Sequence, residues 1–307
     1  MTSPLSGEQW TIRHGSHEVT VVQVGGGLRT YTVDGVDLVA GYRADEVARF
    51  GRGQLLMPWP NRIRDGRYTW GGTEYQLPLS EPAHLNASHG LVRWMPWQAA
   101  WRDENALSVT TTLFPQPGWD GLLELEVVYA LGEAGLAVTS TATNAGPGPV
   151  PFGYGAHPYV AIGDTPLAEV VLRVPAGMEI LVDDRLLPTE TTPVRPEVDF
   201  RHPRALGSTR LDTAYTMVDR DAASGRWEVA ISGLRDRPDV TIWGDEAFEW
   251  VQVFTAQGAD TGVKGSRGVA VEPMSCPADA FNSGAGLVTL APGQSWTGTW
   301  GIRPESV

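Results

Sequence analysis

The chain has 307 residues, 42% of them hydrophobic, enough for one large core or two smaller ones. A formal net charge of -13 repels phosphate backbones and anionic lipid, so neither nucleic acid nor a membrane surface is an expected partner. One cysteine, Cys276, cannot close an internal disulfide, and the opening MTSPLSGEQWTIRHG lacks the basic start and apolar stretch of a secretory leader, so the expected location is cytoplasmic.

Taken in chain order, the dominant signal is period-two alternation broken by Gly, Pro, Asn and Asp. Residues 18–24 read as the first clear strand. Gly25-Gly26-Gly27 lies between two strand patterns and opens no helix, so it is a turn and not a dinucleotide fingerprint. A short helical turn is predicted near 43–50. Residues 68–77 fold back about Gly71-Gly72, and strands follow at 107–113, 122–131 and 136–143, the last two joined at Gly132-Glu133-Ala134-Gly135. Further strands are predicted at 170–174, 227–232, 240–243, 250–255 and 295–302, with a second helical turn near 278–282. The Pro-rich run 186–203 reads as a surface loop inside one domain covering 1–307. With 36 Gly and 23 Pro against long helices, the fold class is all-β, a large antiparallel β-sandwich or barrel with few short helices.

Five scattered segments carry groups suited to a sugar hydroxyl or its proton: Pro60-Asn61-Arg62-Ile63, Ser88-His89-Gly90, Ala156-His157-Pro158-Tyr159, Leu211-Asp212 and Val271-Glu272-Pro273-Met274. Glu272 ends an apolar strand, where a partly desolvated carboxylate serves as a general base or simply caps the next loop. His157 is held extended by Pro158, with Gly153 and Gly155 permitting close approach of another chain or a ligand; it is a proton donor or a hydrogen-bonded turn residue. His89 has the same ambiguity. Arg62 offers a fork to two vicinal oxygens or an ion pair to one of many carboxylates, and Asp212 accepts two hydroxyls or begins a strand. His84 and His89 lie five apart in a loop with no carboxylate at a recognised metal spacing, so no metal site is expected. Of twelve Trp, those near these segments are Trp59, Trp94, Trp97 and Trp243; an indole face suits the C–H face of a pyranose.

In this order the segments resemble the aldose 1-epimerase (mutarotase) family of the galactose-mutarotase-like fold. NRIRDGRYTWGGTEYQL, a following HG, GYGAHPYV, EPMSCPADAFNSG and the terminal LAPGQSWTGTWGI strand carry the likeness, from Val21 to Ile302. The resemblance implies one antiparallel β-sandwich with an open cleft, and interconversion of the α and β anomers of a free aldose. It gives Glu272 the role of general base and His157 that of general acid. Arg62 and His89 hold the ring oxygen and hydroxyls, Asp212 grips the sugar, and Asn61 and Trp243 complete the expected binding set. It implies no cofactor or metal, and a monomer or homodimer whose partner is a small sugar. PWPNRI is similar to the branch acting on unphosphorylated sugars. The competing readings are a non-catalytic carbohydrate-binding protein and a glycoside hydrolase using Glu272 with Asp212.

Overall fold

The computed structural model describes residues 4–255 and 267–305. Its strands form two large sheets and several small ones, with one four-residue α-helix, Ala280–Ser283, among the described residues. Fold class follows from the alternation. In Leu123–Gly132 the side chains of Leu123, Leu125, Val127, Tyr129 and Leu131 are buried while Glu124 faces solvent, so one face of the sheet joins the core.

The nine-stranded sheet runs in the order Gln98–Arg102, Ala106–Leu113, Leu123–Gly132, Gly135–Asn144, Ser295–Pro304, Val240–Gly244, Trp227–Ser232, Val171–Arg173, Arg204–Ala205. The eight-stranded sheet runs Pro188–Pro193, Ala176–Val182, Asp212–Val218, Trp250–Thr255, Gly268–Met274, Gly155–Ala156, Leu55–Leu56, with Tyr159–Ala161 also paired to Gly268–Met274. One apolar cluster extends from Trp10 to Ile302. The chain's two ends therefore share a core.

Two expectations are corrected. Residues 43–50 form no helix: the Glu46 N–H closes a single turn on the Arg43 carbonyl, with the Glu46 carboxylate reaching back to the Arg43 N–H, and the residues that follow are not helical. The Pro-rich run contains a strand, Pro188–Pro193, and a 3-10 turn, Pro196–Val198. That strand lies at the sheet's edge against Ala176–Val182, where a proline's missing N–H costs no ladder bond.

Candidate active site

Strand register brings the first polar groups together. Glu272 lies directly opposite Gln252, and Asp212 opposite Phe254 on the next strand over. Their neighbours Val271 and Val253 belong to the core cluster, so alternation turns Glu272, Gln252 and Phe254 to the other face. That face is the floor of a cleft of about 380 Å³, a size suited to one small ligand.

His157 enters from the segment between two short strands. Its backbone is held at both ends, N–H to the Gln54 carbonyl at 3.1 Å and C=O from the Gly53 N–H at 2.9 Å. Its ring stacks on Tyr159 with centroids 5.0 Å apart, and the Tyr159 hydroxyl donates to the Phe50 carbonyl at 2.9 Å. Gly51, at φ +76°, makes room for it: a Cβ there would lie 2.5 Å from His157 Cδ2. The close approach that Gly153 and Gly155 permit is used by the protein itself, since Cys276 Sγ and Pro60 occupy the space their Cβ atoms would need.

Arg62 begins one of two short paired strands and lies opposite Ser88, the last residue of the other, which His89 follows. Asn61 and His89 both adopt left-handed backbone, at φ 55° and 63°, and bond each other twice. The His89 N–H donates to the Asn61 carbonyl at 2.7 Å, and the Asn61 N–H donates to His89 Nδ1 at 3.2 Å. Nδ1 is thereby an acceptor, which puts the ring proton on Nε2. Arg62 lines the cleft and pairs with Glu81 through two bonds of 2.7 and 2.9 Å, the ion pair that the sequence offered as one of its readings.

A line of side chains crosses from this pair to the sheet. Arg62 Nη1 donates to Asn61 Oδ1 at 3.1 Å, Asn61 Nδ2 to Gln252 Oε1 at 3.4 Å, and Gln252 Nε2 to Asp212 Oδ1 at 2.5 Å. Asp212 itself is exposed at the rim.

At the centre, His157 Nε2 lies 3.3 Å from Glu272 Oε1. Glu272 Oε2 and His157 Nδ1 have no hydrogen-bond partner among the described residues. Burial raises the Glu272 carboxyl well above its ordinary range, with Asp212 adding to this and Arg62 opposing it. Burial lowers His157 to about 3, helped by the Arg93 charge. His89 is lowered too, first by burial and then by His157, Arg93 and Arg62. Burial thus favours the neutral form of each group, a protonated Glu272 carboxyl beside an uncharged His157 imidazole, the reverse of the order that a carboxylate base beside a protonated imidazole needs.

The expected aromatic contacts divide. Trp94 lines the cleft and is 55% exposed. Trp59 packs edge-on against Phe281, and Trp97 lies in the core against Gly26. Trp243 does not line the cleft: it sits in the nine-stranded sheet against Gly301, with the Arg226 guanidinium 3.7 Å over its ring. Among the described residues no three of His, Cys, Asp and Glu are grouped to hold a metal ion. No helix of the described residues is long and apolar enough to cross a membrane.

The sequence profile described as aldose 1-epimerase matches residues 8–303. The chain belongs to the aldose 1-epimerase family. Relatives of this family member include the uncharacterized protein YihR of Escherichia coli K12, 33% identical over 94% of this chain and 91% of that one. In fold it is similar to a galactose mutarotase-like protein from Clostridium acetobutylicum, with TM-score 0.84, 18% identity and coverage of 97% and 95% of the two chains. It is also similar to galactose 1-epimerase from Lactobacillus acidophilus NCFM, with TM-score 0.78, 20% identity and the same coverage. Lining residues of this aldose 1-epimerase family cleft that had no separate signal in the sequence include Glu81, Arg93, Gln252 and Phe254. Each lies in an ordinary strand or loop pattern, and only long-range register or loop packing delivers it to the cleft.

Proposed function

We propose that this protein interconverts the α and β anomers of a free, unphosphorylated aldose. The observation that carries the reading is the buried pair, His157 Nε2 at 3.3 Å from Glu272 Oε1, on the floor of a cleft also lined by Asn61, Arg62, His89 and Asp212. Family membership and the likeness in fold to galactose 1-epimerase support it.

Ring opening requires the anomeric hydroxyl to lose a proton while O5 gains one. Passing the pair's proton from Glu272 to His157 Nε2 generates a carboxylate base and an imidazolium acid. Glu272 then takes the hydroxyl proton and His157 protonates O5; the C1–O5 bond breaks as the C1 carbonyl forms. Rotation about C1–C2 and closure on the other face reverse both transfers. Arg62 and His89 Nε2–H stabilise charge developing on the sugar oxygens. A binding protein has no use for a desolvated acid and base in contact, which favours the isomerase over the carbohydrate-binding reading.

The test is anomer exchange above the spontaneous rate, read by polarimetry or saturation-transfer NMR across several aldoses. Each group is expected to contribute about a hundred- to ten-thousandfold. If Glu272→Gln and His157→Ala both keep wild-type rates on every aldose turned over, the assignment is wrong.

A further inference from the structure

Two arginines line the cleft, and their surroundings differ. Arg62 is neutralised by the bidentate Glu81 contact. Among the described residues Arg93 has only neutral acceptors, the Gln54 side-chain oxygen at 3.4 Å from Nη1 and the Ser88 carbonyl at 3.3 Å from Nη2. Its Nε is buried without a partner among the described residues, and its guanidinium lies 5.9 Å over the exposed Trp94 ring. In a chain with 36 acidic and 23 basic residues, no described carboxylate is placed to pair with it. A partly dehydrated, unpaired cation costs stability, so its retention in a ligand cleft calls for a counter-charge from the ligand.

We infer that Arg93 receives an anionic substituent of the sugar, making the preferred substrate an aldose with one negative charge, a carboxylate or sulfate ester, on C6. This deepens the mutarotase reading and rests on it. The position follows from the order of groups. Arg93 donates to the Ser88 carbonyl next to His89 and to the side chain of Gln54, whose own carbonyl takes the His157 N–H, and the His89 and His157 rings pack 5.5 Å apart; Asp212 lies on the other side, bonded to Gln252 opposite Glu272. His157 is the group assigned to O5, and O5 is bonded to C5, which bears C6. A single guanidinium balances one charge; a phosphate monoester brings nearly two.

The experiment compares NMR anomer-exchange rates, corrected for spontaneous exchange, for glucose, glucuronate and glucose 6-sulfate with the wild-type protein, Arg93→Gln and Arg93→Lys. The wild type is expected to favour at least one anionic sugar over glucose about tenfold or more in kcat/KM, as a charge-assisted contact would give. The two anionic sugars separate a planar from a tetrahedral group. Within each variant the anionic-to-neutral ratio is expected to fall toward one for Arg93→Gln and to be partly kept for Arg93→Lys. Inorganic sulfate should also slow glucuronate exchange by the wild type more than glucose exchange, a reading that needs no variant to fold. Equal rates on all three sugars, or a ratio unmoved in Arg93→Gln, would overturn the inference. No exchange on any aldose would instead overturn the mutarotase reading; ligand-observed NMR binding of glucuronate against glucose would then still decide the role of Arg93.

Discussion

His157 Nε2 and Glu272 Oε1 stand 3.3 Å apart with their residues 6% and 2% exposed. Neither group can change its proton without affecting the other, so they act as one unit. Replacing both, Glu272→Gln with His157→Ala, is therefore expected to cost little more in kcat than the worse single change, rather than the product of the two. Single-turnover exchange rates of the three variants check this.

The rate should also carry the mark of burial. An exposed imidazole would impose an inflection near 6.5, but His157 is lowered to about 3 while Glu272 is raised. With His157 lowered, kcat/KM is expected to show no imidazole inflection near pH 6.5 and to fall on the alkaline side as Glu272 ionises. A step near pH 6.5 in the free-enzyme profile would contradict this arrangement.

Stability should depend on pH through the same two groups, with opposite signs. His157 is lowered on folding, so the unfolded chain takes its proton first; this contribution is whole above the unfolded value of 6.5 and is lost as pH falls toward about 3. Glu272 is raised, so its contribution is whole below the unfolded value of 4.5 and is lost as pH rises through its folded value. Glu272→Gln removes the alkaline loss. Its Tm relative to wild type, measured by calorimetry, is expected to rise between pH 5 and pH 8.

Gln252 touches Asp212 and Asn61 at once. Gln252→Leu should free Asp212 at the rim and raise KM about tenfold, the worth of one hydrogen bond to a charged group, with a smaller effect on kcat. Steady-state kinetics on the best aldose would show it; a fall in kcat with unchanged KM would mean that Gln252 acts on the proton transfers instead.

Gly51 is expected to tolerate no side chain. Gly51→Ala places a Cβ 2.5 Å from His157 Cδ2 at a φ of +76°, so the imidazole must move. The backbone strain alone costs about 1–2 kcal/mol, and displacement of the ring should lower kcat about a hundredfold, in line with the loss of a positioned acid. Thermal melts and exchange rates measured on the same sample separate the two effects.

What the sequence revealed was governed by how local the signal was. Alternation in Leu123–Gly132 and the glycine-bounded turn after it place both strands within a residue or two. The local settings of His157 and Glu272, against Pro158 and before a Pro-containing loop, made them candidates, but each kept a plain structural reading until the resemblance gave the two of them opposite roles. Gln252 was not a candidate, because in the run Val251-Gln252-Val253 it looks like any outward residue of a strand; only register with Glu272 gives it meaning. Trp243 was misplaced for the converse reason: proximity in sequence does not say which face of a sheet an indole occupies, and here the Arg226 guanidinium covers it. The Pro188–Pro193 strand was missed because composition marks a proline-rich run as loop, while the edge of a sheet accepts it.

The bonds from Arg62 through Asn61 and Gln252 to Asp212 all run in one direction, each amide accepting from one neighbour and donating to the next. Flipping either amide would set two donors or two acceptors face to face, so their orientation is inherited from Arg62 and, through it, from Glu81. On the proposed mutarotase reading, an incoming sugar would meet a row of donors and acceptors whose order is already set. A change at Glu81 would then be expected to alter the preference between epimers differing at one hydroxyl while every amide of the row stays in place.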